Sequence, residues 1–81
     1  MELKDTVFLM ESKDYKERFR AEYYQAKIRY DKLYKMVVKF EAGHLEFRPS
    51  CDIDFYKQQL EAMREYLYAL EVRAELEGIE L

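Results

Sequence analysis

Residues 14–42, DYKERFRAEYYQAKIRYDKLYKMVVKFEA, decide the fold of this 81-residue chain. Their apolar side chains recur at alternating steps of four and three residues, a heptad spacing that aligns them along one side of an α-helix. The members of this first seam are Phe19, Tyr23, Ala26, Tyr30, Leu33, Val37 and Phe40. Asp14 is a capping residue with Glu17 three positions later, and Ser12 is the competing cap. The stretch predicts one long amphipathic helix over 14–42.

A second segment, residues 51–78, repeats the same spacing. Its seam consists of Ile53, Tyr56, Leu60, Met63, Leu67, Leu70 and Ala74. Residues 43–50 separate the two segments and contain Gly43, which can end a helix, and Pro49, which cannot lie inside one. A short loop between two apolar seams predicts an antiparallel hairpin. Every seam residue finds a partner on the other helix if the numbers of paired residues add up to 93.

The beginning of the chain, residues 1–12, carries apolar residues at helical spacing and predicts a short third helix. The expected fold class is therefore all-α: an antiparallel, coiled-coil-like two-helix hairpin with a short N-terminal helix. We expect one helical domain over residues 1–81. No apolar run approaches the roughly 18 residues that a membrane span needs, and the first residues lack a secretion-signal pattern.

Charge is divided between the two halves of the hairpin. Residues 13–39 hold nine Lys or Arg against four Asp or Glu, whereas residues 52–81 hold three against eight. Two oppositely charged segments most simply attract each other. The register predicts, for example, that Glu22 lies near Arg73.

Two further juxtapositions follow from the same register. Lys57 is predicted near Tyr34, where a cation–π contact can form. Lys27 is predicted near Arg64, a like-charge pair that the hairpin alone does not explain.

Each helix also has apolar residues away from its seam. A hairpin of this size has a marginal core, and exposed apolar stripes usually mark a partner surface. We therefore expect a homo-oligomeric bundle. The candidate interface residues are Tyr24, Ile28, Val38, Phe55, Ala62, Tyr66, Ala69 and Leu76.

The sequence contains no recognisable catalytic or metal-binding constellation. The single histidine, His44, and the single cysteine, Cys51, are too few for a zinc site and have no oxyanion-binding motif beside them. One cysteine also excludes an intrachain disulfide and fits a reducing cytoplasm. We expect no enzyme activity, no metal and no cofactor. The net charge of −3 argues against a double-stranded nucleic acid as partner.

One polar stripe could bind a ligand. Arg20, Tyr24, Lys27 and Tyr34 follow each other at helical spacing beside the first seam. Phenol rings can stack on a nucleobase, and the cations can neutralise a phosphate. In the alternative interpretation the tyrosines are interface packing and the basic groups pair with the acidic second helix.

Three strings carry a resemblance to known proteins: DYKER at 14–18, EAG at 41–43 and QLEAM at 59–63. With them, nearly the whole chain resembles the small helical-hairpin proteins of crAss-like phages and of prophages and integrative elements in gut Firmicutes. The resemblance implies a phage or mobile-element context inside a bacterial cytoplasm. It implies no particular activity and assigns no functional residues.

Small phage proteins of this kind frequently counter host defence, which gives three hypotheses. The chain could sequester a nucleotide immune signal, which is the function we favour. It could instead bind and inhibit a host defence protein, as anti-CRISPR proteins do. A structural or regulatory accessory role is the third.

Overall fold

Two long helices joined by one loop form the body of the protein. The computed structural model describes residues 1–81. A 3₁₀ turn, Leu3–Thr6, leads into the single helical turn α1, Val7–Met10, and is followed by α2, Tyr15–Glu41, and α3, Ile53–Glu77. The all-α fold class is confirmed, since the chain has no strand and α2 packs against α3.

Side-chain contacts at both ends of the hairpin fix the antiparallel direction. The Tyr15 hydroxyl donates to Glu77 over 2.7 Å at one end. At the loop end Lys57 Nζ lies 2.5 Å from Glu41 Oε1. The two helices therefore run side by side in opposite directions along their whole length.

Aspartates cap the starts of both long helices. The Asp14 side chain accepts a hydrogen bond from the Lys16 backbone N–H, and the Asp52 side chain accepts one from the Asp54 N–H. Both bonds satisfy an N–H group that the helix itself cannot pair. The Ser12 hydroxyl accepts a bond from the Asp14 N–H instead of capping α2. The helix α2 thus starts one residue after its cap, at Tyr15.

Glycines in the left-handed conformation end both long helices. Gly43 has φ 77° and Gly78 has φ 69°, a region that residues with a Cβ rarely adopt. After Gly78 the Ile79 N–H donates back to the Ala74 carbonyl over 2.8 Å. This reversal turns residues 79–81 back toward α2, and the Ile79 side chain becomes part of the core.

The two seams form the contact between α2 and α3. All of their members are buried or half-buried except Phe40, which is 40% exposed beside the loop. The best-packed part of the core lies at the end opposite the loop and consists of Phe19, Tyr23, Leu67, Leu70, Ala74 and Ile79.

The N-terminal segment, residues 3–10, packs on the side of α2 that faces away from α3. Thr6 is completely buried there; its hydroxyl donates to the Leu3 carbonyl and accepts from the Gln25 side chain. Ala21, one turn before Gln25 on α2, is 1% exposed. The segment makes no close backbone contact with α3. As a result α2 is covered on two sides and α3 on one.

The outer side of α3 is therefore open to solvent. Phe55 is 62% exposed and Leu76 is 81% exposed. Ala62, Ala69 and Tyr66 are also exposed. None of the helices combines the length and apolarity that crossing a membrane requires.

Glu22 and Arg73, which the register predicts to lie near each other, form no ion pair. The Tyr66 hydroxyl donates to Glu22. Arg73 donates to the Tyr15 hydroxyl over 2.9 Å and also lies 3.2 Å from Glu77. Tyr66 is thus the partner of Glu22, and Tyr15 and Glu77 are the partners of Arg73. The charge pattern alone predicts that Glu22 and Arg73 are partners of each other.

Candidate functional site

The predicted ligand stripe on α2 is divided into two parts. Arg20, at its beginning, donates from Nε to the Glu80 backbone carbonyl over 2.7 Å. Tyr24 is half-buried, packs against the core and meets the Tyr23 ring edge-on, with 5.6 Å between ring centroids. This first part of the stripe holds residues 79–81 and the core in place.

In the second part of the stripe, Tyr34 borders an open cleft and Lys27 lies outside its lining. Lys27 pairs with Asp31 at 3.2 Å and lies 5.5 Å from the centroid of the Tyr30 ring. Tyr30 in turn stacks on Tyr34, with an angle of 21° between the rings. Tyr34 is 50% exposed, so part of this aromatic pair is accessible to solvent.

The cleft lies between the loop-side halves of α2 and α3 and has a volume of about 570 Å³. Buried Val37 and Leu60 lie at its bottom. The remaining lining residues are Tyr34, Val38, Glu41, Ala42, Lys57, Glu61 and Arg64. A volume of this size suits a small organic ligand, and an apolar bottom with a few polar groups around it is typical of such sites.

Two cations in the cleft are held by neighbouring groups. Hydrogen bonding to Glu41 raises the pKa of Lys57 above its ordinary value. The adjacent Tyr30 hydroxyl is the main cause that raises the pKa of Arg64, and Glu61, whose carboxylate lies 3.7 Å away, adds to it. Both side chains therefore carry a full positive charge at neutral pH, and both are exposed enough to exchange partners.

A second cleft of about 580 Å³ lies at the opposite end of the hairpin. Its ionisable groups are Tyr23 and the carboxylates of Glu71, Glu75 and Glu80. Tyr23 donates to Glu71 over 2.6 Å, and burial together with this bond raises its pKa to about 12. Because its charge is negative, this cleft does not suit an anionic ligand.

The loop contains the remaining groups that the sequence singled out. His44 and Cys51 are both exposed, and the Cys51 thiol is free. No three His, Cys, Asp or Glu side chains are grouped so that they could hold a metal ion.

Sequence reasoning left three residues out of the candidate site: Tyr30, which it placed in the seam, and Lys57 and Arg64 on α3. Two signals pointed to them. The register predicts Lys57 next to Tyr34; both line the cleft, but Lys57 pairs with Glu41 and makes no cation–π contact with Tyr34. The register also predicts Lys27 near Arg64, and Tyr30 neighbours both cations: Lys27 lies over its ring, and its hydroxyl acts on Arg64.

The predicted interface residues fall into two groups. Tyr24 and Ile28 on α2 are half-buried within the single chain. Val38 is 49% exposed at the cleft. The α3 members, Phe55, Ala62, Tyr66, Ala69 and Leu76, lie exposed on the outside of that helix.

Fold and clefts together define a class: a small all-helical protein with a ligand-sized cleft between two antiparallel helices. Within this class the chain belongs to the Sequestin family, whose family model matches residues 13–76. No curated protein and no solved structure matches the chain. The family name denotes sequestration, which is a binding role rather than a catalytic one. The matched residues include all of α2 and nearly all of α3. They therefore include the parts of these two helices that line both clefts.

Proposed function

We propose that this protein sequesters a small nucleotide immune signal in the bacterial host of a phage or related mobile element. Membership of the Sequestin family is the observation that carries the proposal. A protein that removes a signal by holding it needs a stoichiometric binding site and no catalytic groups. The cleft beside Tyr34, Lys57 and Arg64 is the site that we assign to this task.

The chemistry of the cleft supports a nucleotide as the ligand. Half-exposed Tyr34 supplies an aromatic ring that can stack on a base, a contact worth about 1–3 kcal/mol per base in other proteins. Arg64 can donate two parallel hydrogen bonds to a phosphate, and Lys57 can supply a further charge. Glu41 now neutralises Lys57 at 2.5 Å, so an incoming phosphate would have to replace this carboxylate.

Titration calorimetry with the full chain tests the proposal. The probes are ADP-ribose and a panel of cyclic dinucleotides, each titrated into the wild type and into Arg64→Met. We expect at least one probe to bind and Arg64→Met to weaken its binding about tenfold or more. The reason is that a hydrogen bond to a charged group contributes about 1.5–3 kcal/mol, and about 1.4 kcal/mol corresponds to a factor of ten.

Lys35→Met is the matched control, because Lys35 is an exposed cation of α2 outside the cleft. It removes the same charge and should change affinity less than about twofold, as expected for a screened surface charge. The absence of binding across the whole panel would overturn the function. Binding that Arg64→Met leaves unchanged, but that Tyr24→Ala or Lys27→Ala abolishes, would move the site to the stripe predicted from sequence.

An inhibitor of a host defence protein is the alternative function, favoured by the exposed apolar residues on the outside of α3. In that case a charge placed at Tyr66 would abolish capture of a discrete host protein, and nucleotides would not bind. The two functions therefore predict opposite results for the same pair of measurements.

A further inference from the structure

The outer side of α3 carries apolar residues in an order that complements itself. Phe55, Ala62, Ala69 and Leu76 follow each other at steps of seven, and we call these four residues the outer stripe. Steps of seven keep residues on one side of a helix, with a drift of about 20° per step. From one end to the other the stripe reads large, small, small, large. Read backwards it has the same order.

Such an order allows two copies of α3 to pack in opposite directions. If the numbers of facing residues add up to 131, Phe55 faces the partner's Leu76, and Ala62 faces the partner's Ala69. The alanines in the middle allow the two backbones to approach closely, and the large residues at the ends cover the flanks of the contact. Both halves of the contact are identical, as a twofold interface requires.

The surroundings of the outer stripe favour a second copy over other occupants. The N-terminal segment covers α2 and leaves α3 free, so no described part of the chain occupies this side. The stripe itself is uncharged, while α3 carries six acidic and three basic residues. An excess of negative charge disfavours nucleic acid and anionic lipid surfaces. The exposed back of the loop-side half of α2 carries Lys32, Lys35 and Lys39 and offers no matching apolar stripe.

The area of the outer stripe sets the strength of the contact. At 1.5 Å per residue, Phe55 and Leu76 are about 32 Å apart along the helix. Because a helix is about 10 Å wide, the contact covers about 300 Å² on each copy. Two such areas are smaller than the roughly 1,200 Å² of a standard protein interface. The contact should therefore dissociate on dilution.

We propose that two copies of this protein form an antiparallel dimer through the outer stripe of α3, with Ala62 of each copy against the partner's Ala69. The inference does not depend on which ligand the cleft binds. Glu65 lies next to the midpoint of the contact, where it approaches the partner's Glu65. The dimer is thus held by apolar contacts against a like-charge repulsion.

Sedimentation velocity of the full chain tests the dimer. Over a roughly hundredfold rise in concentration the mass should increase from 10.0 kDa toward twice that value. Added salt should strengthen the association, because it screens the glutamates. Docking of the acidic α3 on a basic surface of another copy would show the opposite salt dependence and would overturn the proposal.

Ala62→Glu should keep the chain monomeric over the same concentrations, since it places a charge in the middle of the contact. Tyr68→Glu is the matched control; Tyr68 is 68% exposed on α3 outside the outer stripe, so this variant should still dimerise. A wild type that stays at 10.0 kDa throughout, or an Ala62→Glu protein that dimerises like the wild type, would refute the proposed contact.

Disulfide trapping tests the register independently of any charge. In a Cys51→Ser background, a mixture of Ala62→Cys and Ala69→Cys proteins should form a mixed disulfide dimer under copper-catalysed air oxidation. Ala62→Cys alone should not cross-link, because two copies of residue 62 would be about 10 Å apart along the helices, beyond the reach of a disulfide. Cross-linking of Ala62→Cys alone, without the mixed product, would exclude this register.

Discussion

Replacing Tyr23 by phenylalanine should produce a stability change that depends on pH. Tyr23 lies in the core with 9% of its surface exposed, and its hydroxyl donates to Glu71 over 2.6 Å. Burial and the hydrogen bond to Glu71 raise its pKa from 10.0 to about 12. In the unfolded chain the same hydroxyl titrates near its ordinary value of about 10.

At pH 8 Tyr23 is protonated in both states, so only the hydrogen bond distinguishes it from phenylalanine. Tyr23→Phe should then lower the free energy of unfolding by about 1 kcal/mol. Above pH 10 the unfolded state loses the Tyr23 proton first, and the stability contributed by this group falls as the pH rises. With pKa values of 10 and 12, the loss amounts to about 1.4 kcal/mol at pH 11. The variant has no such group and does not share this loss.

The advantage of the wild type over Tyr23→Phe should thus disappear, or reverse slightly, between pH 8 and pH 11. Urea denaturation followed by far-UV circular dichroism at both values measures the difference. Tyr68→Phe is the control, because Tyr68 is 68% exposed and its loss should leave stability within about 0.5 kcal/mol at either pH. A Tyr23→Phe difference that is the same at pH 8 and pH 11 would refute the link between burial, the Glu71 bond and the raised pKa.

Two further changes test how the ends of the chain are attached. Ile79→Ala should lower the free energy of unfolding, measured by urea denaturation, by about 2 kcal/mol or more, because Ile79 is 6% exposed in the core. Leu81→Ala is the control; Leu81 is 42% exposed, so this variant should lose less than half as much. Equal losses would contradict a core role for Ile79. Thr6→Val removes the buried hydroxyl that accepts a hydrogen bond from Gln25. The segment 3–10 should then become cleavable by protease, while α2 and α3 stay protected. Unchanged resistance of the segment to protease would show that other contacts hold it.

The helices could be predicted from the sequence because their signals are local. The heptad spacing of each seam depends only on residues within a few turns, and Asp14 and Asp52 each bond to a backbone N–H two residues away. Gly43 likewise ends α2 through its own backbone conformation. Periodicity and capping therefore predict which residues are helical and which side of each helix is apolar.

Contacts between residues that are far apart in the sequence could not be predicted in this way. Ile79 joins the core only because Gly78 reverses the chain, a geometry that periodicity does not encode. Arg20 was assigned to a ligand stripe by its charge, but its guanidinium binds the Glu80 carbonyl, an acceptor that every residue carries. A charge pattern gives no information on hydrogen bonds to backbone carbonyls. The sequence therefore could not show that Arg20 is a weaker ligand-binding candidate than the other cations.

Only the α2 side of the candidate site could be predicted from local sequence signals. Tyr34 was found because aromatic and basic residues share a side of α2. Arg64 and Lys57 belong to α3, so their place in the cleft depends on how the two helices pair. The antiparallel register predicts Lys57 next to Tyr34, and both of these residues line the cleft together with Arg64.

The cleft and the outer stripe can operate independently because they lie on different sides of α3. Lys57 and Arg64 each follow a stripe residue, Phe55 and Ala62, by two positions, and two residues correspond to about 200° around a helix. A dimer formed through the outer stripe would therefore leave both clefts open, one on each copy. It follows that Ala62→Glu should abolish the dimer and leave nucleotide affinity within about twofold. Arg64→Met should weaken nucleotide binding about tenfold or more and leave the dimer intact. Loss of both properties in either variant would mean that the ligand is bound between two copies, and the cleft of a single chain would then be only half of the site.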